Sequence, residues 1–341
     1  MGIAGLRGGL ASLGHHVDVR PLRRRTRFHT LDRWLYNLGV ALWPPRGVDL
    51  VLGIDLDGFL WARRRRLPFV ASLKGIIADE LKNERGWVRA LLSVQAQWER
   101  LNTRRADLVV VTSRYCAEVV QREYDVGGDR VAIVPEPIDL EAWDHHFSRA
   151  ARRPRSGPGV LCVARMYPRK RVGDLLRAAV ALRARIPGVH IRIVGRGPEW
   201  DGLVRLRADL GLAGAVDLLG DLPLERLAEE YVNADVFCLP SVQEGFGIVF
   251  LEAMAASLPV VACRAAAVPE VVLDGLTGVL APPREPAALA EALEALIRDT
   301  ARAKRLGTEG RRRVAEFTPR HVAERFLHAV RSIIGPDARR G

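Results

Sequence analysis

The sequence predicts an α/β protein of two parallel-sheet domains, and three observations carry that expectation. Short β-branched runs alternate with amphipathic helical stretches along the whole chain, the pattern of repeated strand–helix–strand units. The 341 residues exceed what a single hydrophobic core comfortably organises. A polar, arginine- and proline-rich segment, HHFSRAARRPRSGPG at 145–159, interrupts the alternation near mid-chain.

In the first half, strands are expected at HVDV (16–19), VDLVLGI (48–54), PFVASL (68–73), ADLVVVTS (106–113) and RVAIVP (130–135), with an amphipathic helix over 87–105. The second series comprises VLCVA (160–164), HIRIVG (190–195), AVDLLG (215–220), DVFCLP (235–240), PVVAC (259–263) and GVLA (278–281). FTPRHVAERFLHAVRSIIG (317–335) closes the chain as a helix with Pro319 near its start. The boundaries that follow are a first domain over 1–145, a linker over 146–158, a second domain over 159–318 and a final helix over 319–335.

Composition narrows the classes. Hydrophobic residues at 48% and charged residues at 27% are ordinary for a globular protein. The N-terminus has no basic start followed by an apolar core and cleavage site, and no window reaches ~18–20 uninterrupted apolar residues, so a cytoplasmic protein is expected. Cys116, Cys162, Cys238 and Cys263 are widely spaced in mostly apolar runs, which suits small core residues better than a disulfide framework or zinc site. The net charge of +12 leans towards the first half, where residues 1–158 hold 26 basic and 18 acidic side chains against 26 and 22 in the remainder. The runs RPLRRRTR (20–27) and RRRR (63–66) suit an anionic partner or simply a solvated face. No zinc-finger, RNA-recognition or basic-zipper pattern is present, which argues against nucleic acid.

Ligands of open α/β sheets bind beyond the carboxyl ends of the strands. The loop after VLCVA is RMYPRKR, with Arg165 and Lys170 five apart; HIRIVG leads into GRGPEW and DVFCLP into SVQEGFG. Cations neutralise a diphosphate, and glycines such as Gly195 and Gly197 let backbone N–H groups approach it. Each feature alone is weak, since surface cations are mostly solvated and GRG is not a full GxGxxG fingerprint.

The stretch EGFGIVFLEAMA (244–255) sets one glutamate in a loop and another inside an apolar helix. Glu244 is expected at the helix entrance, with the N–H groups of Gly245, Phe246, Gly247 and Ile248 turned to a ligand. Glu252 lies among Phe250, Leu251, Ala253 and Met254, where an inward carboxylate needs a partner to offset desolvation. Hydroxyl groups suit both acceptors, a sugar at Glu244 and a ribose at Glu252; the competing reading is a helical glutamate that faces solvent.

This stretch resembles the E-x7-E signature of retaining GT-B glycosyltransferases of family 4. The likeness extends through VARMYPRK, IVGRGPEW, NADVFCLPS, PEVVLDGLTG and VPEPIDLEAW. It implies two Rossmann-like domains facing a cleft, with the final helix crossing back onto the first. It further implies that Arg165 and Lys170 hold a nucleotide diphosphate, that Glu244 and the backbone of Gly245 to Gly247 hold the donor sugar, and that Glu252 holds the ribose. The implied chemistry is sugar transfer from a nucleoside-diphosphate sugar to a glycan or lipid-linked acceptor with retained anomeric configuration. It needs no cofactor and no essential metal, and is driven by stabilisation of the departing diphosphate. DLD at 55–57 resembles the metal-binding DxD of the other glycosyltransferase fold but lacks its context.

Departures from the family pattern are specific. Lys74-Gly75 stands where histidine-glycine is usual near the donor sugar, and Pro135-Glu136-Pro137-Ile138-Asp139 replaces the usual Pro-Asn-Gly-Ile-Asp turn. Ser257 and Ala266-Ala267 stand where glycines are frequent. The usual first strand and its Gly-Gly loop precede the helix that ends at Gly14-His15-His16-Val17, so a start upstream of Met1 is expected. LDRWLYNLGVALW (31–43) offers an amphipathic helix for an anionic membrane, against packing within the first domain as the more usual fate of such residues. Two other functions compete with the transferase: a dinucleotide-dependent oxidoreductase, which lacks GxGxxG after a first strand, and an impaired remnant that only binds sugar nucleotide.

Overall fold

The computed structural model describes residues 2–22, 29–43, 45–63, 67–154 and 157–334. The chain divides into two units, one of residues 1–137 with 319–341 and one of 138–318.

The first unit begins with α1 (Gly2–Ser12) and α2 (His29–Leu42), followed by β1 (Val51–Ile54), β2 (Phe69–Leu73), α3 (Ile77–Glu80), α4 (Gly86–Arg105), β3 (Leu108–Val111), α5 (Arg114–Tyr124) and β4 (Val131–Ile133). The four strands form one parallel sheet in the order β1-β2-β3-β4. The sequences FVASL and LVVV are buried throughout, as strands covered on both faces must be. Ser113 starts α5 by accepting the Cys116 N–H (3.1 Å), and Asp125 ends it in the left-handed region at φ 57°. HVDV, expected as a strand, is irregular instead: Val17 packs on the core but Val19 is exposed, and no strand pairs with the segment among the described residues.

The second unit opens with α6 (Leu140–Arg149), capped by Asp139 through the Ala142 N–H (3.0 Å). The first-domain boundary expected at 145 and the linker expected over 146–158 differ from this arrangement. Trp143 is buried against Tyr231 and Phe147, which ties α6 to the second core. Then come β5 (Gly159–Val163), α7 (Val172–Arg185), β6 (His190–Val194), α8 (Trp200–Asp209), β7 (Val216–Gly220), α9 (Leu224–Val232), β8 (Val236–Leu239), α10 (Ile248–Ala255), β9 (Val260–Cys263), α11 (Val268–Val271), β10 (Gly278–Ala281), α12 (Pro286–Arg298) and α13 (Thr300–Val314). The six parallel strands run β10-β9-β8-β5-β6-β7. Strand order reverses around β5, which places a ligand crevice at the carboxyl ends of β6, β5 and β8.

The chain closes with α14 (Pro319–Val330), which belongs to the first unit. There Val322, Ala323, Phe326 and Val330 share a core with Leu6 and Leu10 of α1 and with Val70, Leu108 and Val110 of the sheet. All four cysteines are buried and unpaired.

Candidate active site

The three loops singled out in the sequence leave three adjacent strands of the second unit. After β5, Arg165 is exposed with no ion-pair partner for its guanidinium among the described residues, while Met166 beside it is fully buried. The chain then makes a single 3-10 turn over Pro168–Lys170 and passes through Arg171 at φ 53°. Arg171 stays there because its guanidinium grips Asp174 with two bonds, of 2.7 and 2.8 Å.

The loop after β6 packs directly on the first. Met166 N–H donates to Arg196 O (3.0 Å) and Glu199 N–H to Met166 O (2.9 Å). Gly195 has φ +115°, and a Cβ there would sit 2.1 Å from Ala164 O; one on Gly197 would lie 2.6 Å from Met166 N. These glycines therefore serve backbone-to-backbone packing between the two loops, a use the sequence did not show. Arg196 lies over Trp200 at 4.3 Å.

The loop after β8 is tied to the first by Val242 N–H and Ser241 Oγ, both donating to Arg169 O at 2.9 and 3.2 Å. Lys170 Nζ then reaches both oxygens of Glu244, at 2.6 and 2.8 Å, with both side chains largely buried. The sequence assigned these two residues to different parts of a donor, and the fold joins them as an ion pair. Phe246 is buried edge-on against Phe317, with ring centroids 5.6 Å apart, so its contribution towards a ligand is its backbone. Gly247 caps α10 at φ +91°. The first bond of this turn runs from Phe250 N–H to Gly247 O (3.0 Å), leaving the N–H groups of Gly247 and Ile248 ahead of it.

Helix α10 is apolar on all sides and buried, apart from one carboxylate. Glu252 faces inward, not to solvent, and its Oε2 accepts the hydroxyl of Tyr231 at 2.9 Å. Burial pushes Glu252 up from 4.5 to about 7, against the Tyr231 hydrogen bond that favours its ionised form. Tyr231 itself is fully buried, and its pKa is raised by burial and by the neighbouring carboxylate. Tyr231 lies in α9 and gave no sequence signal, since its partnership depends on two helices packing together. Gln243 was also missed; it is buried and its Oε1 has no hydrogen-bond partner.

Lys74 and Gly75 lie in the first unit, at the end of β2. Lys74 N–H donates to Asp55 Oδ1 (3.0 Å), and its ammonium pairs with Glu136 at 2.5 Å. Two of the side chains that depart from the resemblance, Lys74 and Glu136, are thus partners of one another. A lysine in place of histidine and a glutamate in the turn after β4 balance each other's charge. Asp55 and Asp57 of the DLD motif both engage Arg33, at 3.7 and 2.9 Å.

Two α/β units, each on a parallel sheet, of four and six strands, are the architecture of a GT-B glycosyltransferase. The family model described as glycosyltransferase family 4 matches residues 3–142, and that described as glycosyl transferases group 1 matches 146–313. The chain belongs to the family 4 glycosyltransferases.

Among its relatives is a GDP-mannose-dependent α-(1-6)-phosphatidylinositol monomannoside mannosyltransferase of Mycolicibacterium smegmatis, 35% identical over 71% of this chain and 65% of that protein. A D-inositol 3-phosphate glycosyltransferase of Nocardia farcinica is 37% identical over 66% of the chain and 52% of its own length. The chain thus spans between about half and two thirds of these two relatives. Among solved structures, the sucrose-phosphate synthase of Thermosynechococcus elongatus shares the fold at TM-score 0.75 and 24% identity, covering 92% of this chain and 81% of that one. Anabaena HepE in complex with UDP and glucose does so at TM-score 0.72 and 21% identity, covering 86% and 81%.

Proposed function

We propose that the chain is a retaining glycosyltransferase that moves a sugar from a nucleoside-diphosphate sugar to a lipid-linked or glycan acceptor without a metal. The observation that carries this reading is the Lys170–Glu244 ion pair, which joins the loops after β5 and β8 at the strand-order reversal of one sheet. Arg165 and Lys170 supply the positive charge that a departing diphosphate requires. Glu244, held at its place by Lys170, accepts hydroxyls of the sugar, and Glu252 accepts those of the ribose. The backbone N–H groups of Gly247 and Ile248 add the positive end of α10. The mannosyltransferase relative favours GDP-mannose as donor and a phosphatidylinositol glycolipid as acceptor. A cytoplasmic setting is part of this reading, and four unpaired, buried cysteines suit it.

Thermal shifts with GDP, UDP, ADP and NAD, run beside Glu252→Ala, test the donor site. A ligand specific to the folded state stabilises it by about 2.7 kcal/mol at a hundred times its dissociation constant. One nucleoside diphosphate is expected to shift the wild type and not the variant, and a shift with NAD alone would overturn the reading. Retention is checked by the anomeric configuration of the product in NMR, and metal independence by undiminished turnover in EDTA. Nucleotide binding without any turnover would favour the non-catalytic remnant instead.

A further inference from the structure

Helix α2 is built inside out. Its inward positions are Asp32, Arg33, Asn37, Val40 and Ala41. Asn37 is fully buried: its Oδ1 accepts the Gly58 N–H at 2.6 Å and its Nδ2 donates to Arg33 O at 2.9 Å. Arg33 reaches past it to Asp57, while Val40 and Ala41 pack on the core below. The outward positions Leu31, Trp34, Leu35, Leu38 and Leu42 follow the i, i+3, i+4, i+7, i+11 spacing of one continuous apolar stripe. Leu42 is 60% exposed and Trp43, just beyond the helix, 72%. Leu35, Leu38, Leu42 and Trp43 line a groove of about 400 Å³, together with Arg20. A surface helix ordinarily has the opposite polarity, and a continuous exposed apolar face marks a contact site. Packing within the first domain, the more usual fate of these residues, accounts only for Val40 and Ala41.

We propose that this face docks on the surface of an anionic phospholipid bilayer. The charge around it selects that occupant. Residues 20–46 contain seven arginines in sequence and a single carboxylate, Asp32, which is buried; Arg33 is turned inward onto Asp57, and among the described residues Arg20 and Arg46 are exposed. Arg20 is fixed at the end of the stripe, its Nη1 donating to Trp43 O at 2.8 Å while Tyr36 donates to Arg20 O at 2.8 Å. Two tryptophans and three exposed leucines beside arginines match the interfacial zone of a membrane, where apolar side chains enter the acyl boundary and cations meet lipid phosphates. A second copy of the chain would bring like charges together. The inference stands apart from the transferase reading, since lipid binding needs neither donor nor turnover.

Co-sedimentation of the full chain with vesicles of phosphatidylcholine alone, or mixed with phosphatidylglycerol, is the test. Binding is expected only with phosphatidylglycerol and should weaken as salt is raised. The double variant Trp34→Glu/Leu42→Glu should lower the partition coefficient at least about tenfold. Trp87→Glu, which changes an exposed tryptophan on α4, should leave it unchanged. Melting temperatures within a few degrees of wild type would show that these exposed changes leave the fold intact. Failure of the wild type to bind phosphatidylglycerol vesicles would overturn the proposal, as would equal loss in Trp87→Glu. So would a wild-type dimer, seen in sedimentation equilibrium, that the α2 variant dissolves.

Discussion

Helices α2 and α10 reverse the ordinary polarity of a protein in opposite senses. α10 is apolar all round and buries a carboxylate at its centre; α2 buries an amide and a guanidinium and turns its leucines and tryptophans outward. In both, the buried polar groups are hydrogen-bonded to a neighbouring element: Glu252 to Tyr231 in α9, Asn37 to Gly58 in the turn after β1. The exception is thus affordable in each case only because a partner is held ready by tertiary packing. What differs is the role left to the apolar residues, which hold the second unit together around α10 and are free for another surface on α2.

The largest expected effect breaks this contrast directly. Phe250→Ala empties a fully buried site packed edge-on against Phe237 at 6.1 Å and should destabilise the protein by about 3–5 kcal/mol, read from denaturant unfolding. Trp34→Ala, as large a truncation on α2, should stay within about 0.5 kcal/mol.

Next in size is a pH effect at Glu252. Its pKa is raised from 4.5 to about 7 in the folded state, so the fold binds this proton more tightly than the unfolded chain does. Its stabilising contribution is full below pH 4.5 and is lost as pH rises through 7, amounting to about 3 kcal/mol at most. Glu252→Gln should remove that slope from the stability profile. Hydroxyl donors from a bound ribose favour the ionised form, so nucleotide binding near pH 7 should release protons, measurable by calorimetry in buffers of different ionisation enthalpy. Glu99 in the first unit, buried and raised to about 8, gives a parallel slope that extends to higher pH.

Asn37→Ala should destabilise by about 1–3 kcal/mol, because the buried Gly58 N–H loses its acceptor. That a polar residue on α2 matters more than its neighbouring tryptophan would sharpen the comparison, and equal effects in chemical denaturation would break it. Smallest is Ala266→Gly. Ala266 occupies φ 48°, a left-handed conformation awkward for any residue with a Cβ, and so does Ser257 at φ 58°. Relieving that strain should raise stability by about 0.5–1 kcal/mol, seen as a rise in Tm of a few degrees. At both positions the backbone has a glycine-like shape under a residue that carries a Cβ.

Strand runs such as LVVV, VFCL and VVAC were legible in sequence because a doubly covered parallel strand must be apolar and β-branched regardless of what surrounds it. HVDV has the same look but is irregular, with no strand paired to it among the described residues, since β propensity is decided by what a segment packs against. Likewise, the placement of Arg165, Lys170, Glu244 and Glu252 after particular strands or within a particular helix was fixed by local pattern.

What only the tertiary structure decided is which of these residues meet. Lys170 and Glu244 are 74 positions apart, Tyr231 and Glu252 21 apart, and Lys74 and Glu136 come from the ends of two different strands. The sequence determined periodicity, turn chemistry and the charge at each loop, because those depend on neighbours a few residues away. Partnership, burial and the face that α2 turns outward depend on how strands and helices stack, and that is set by packing over the whole unit.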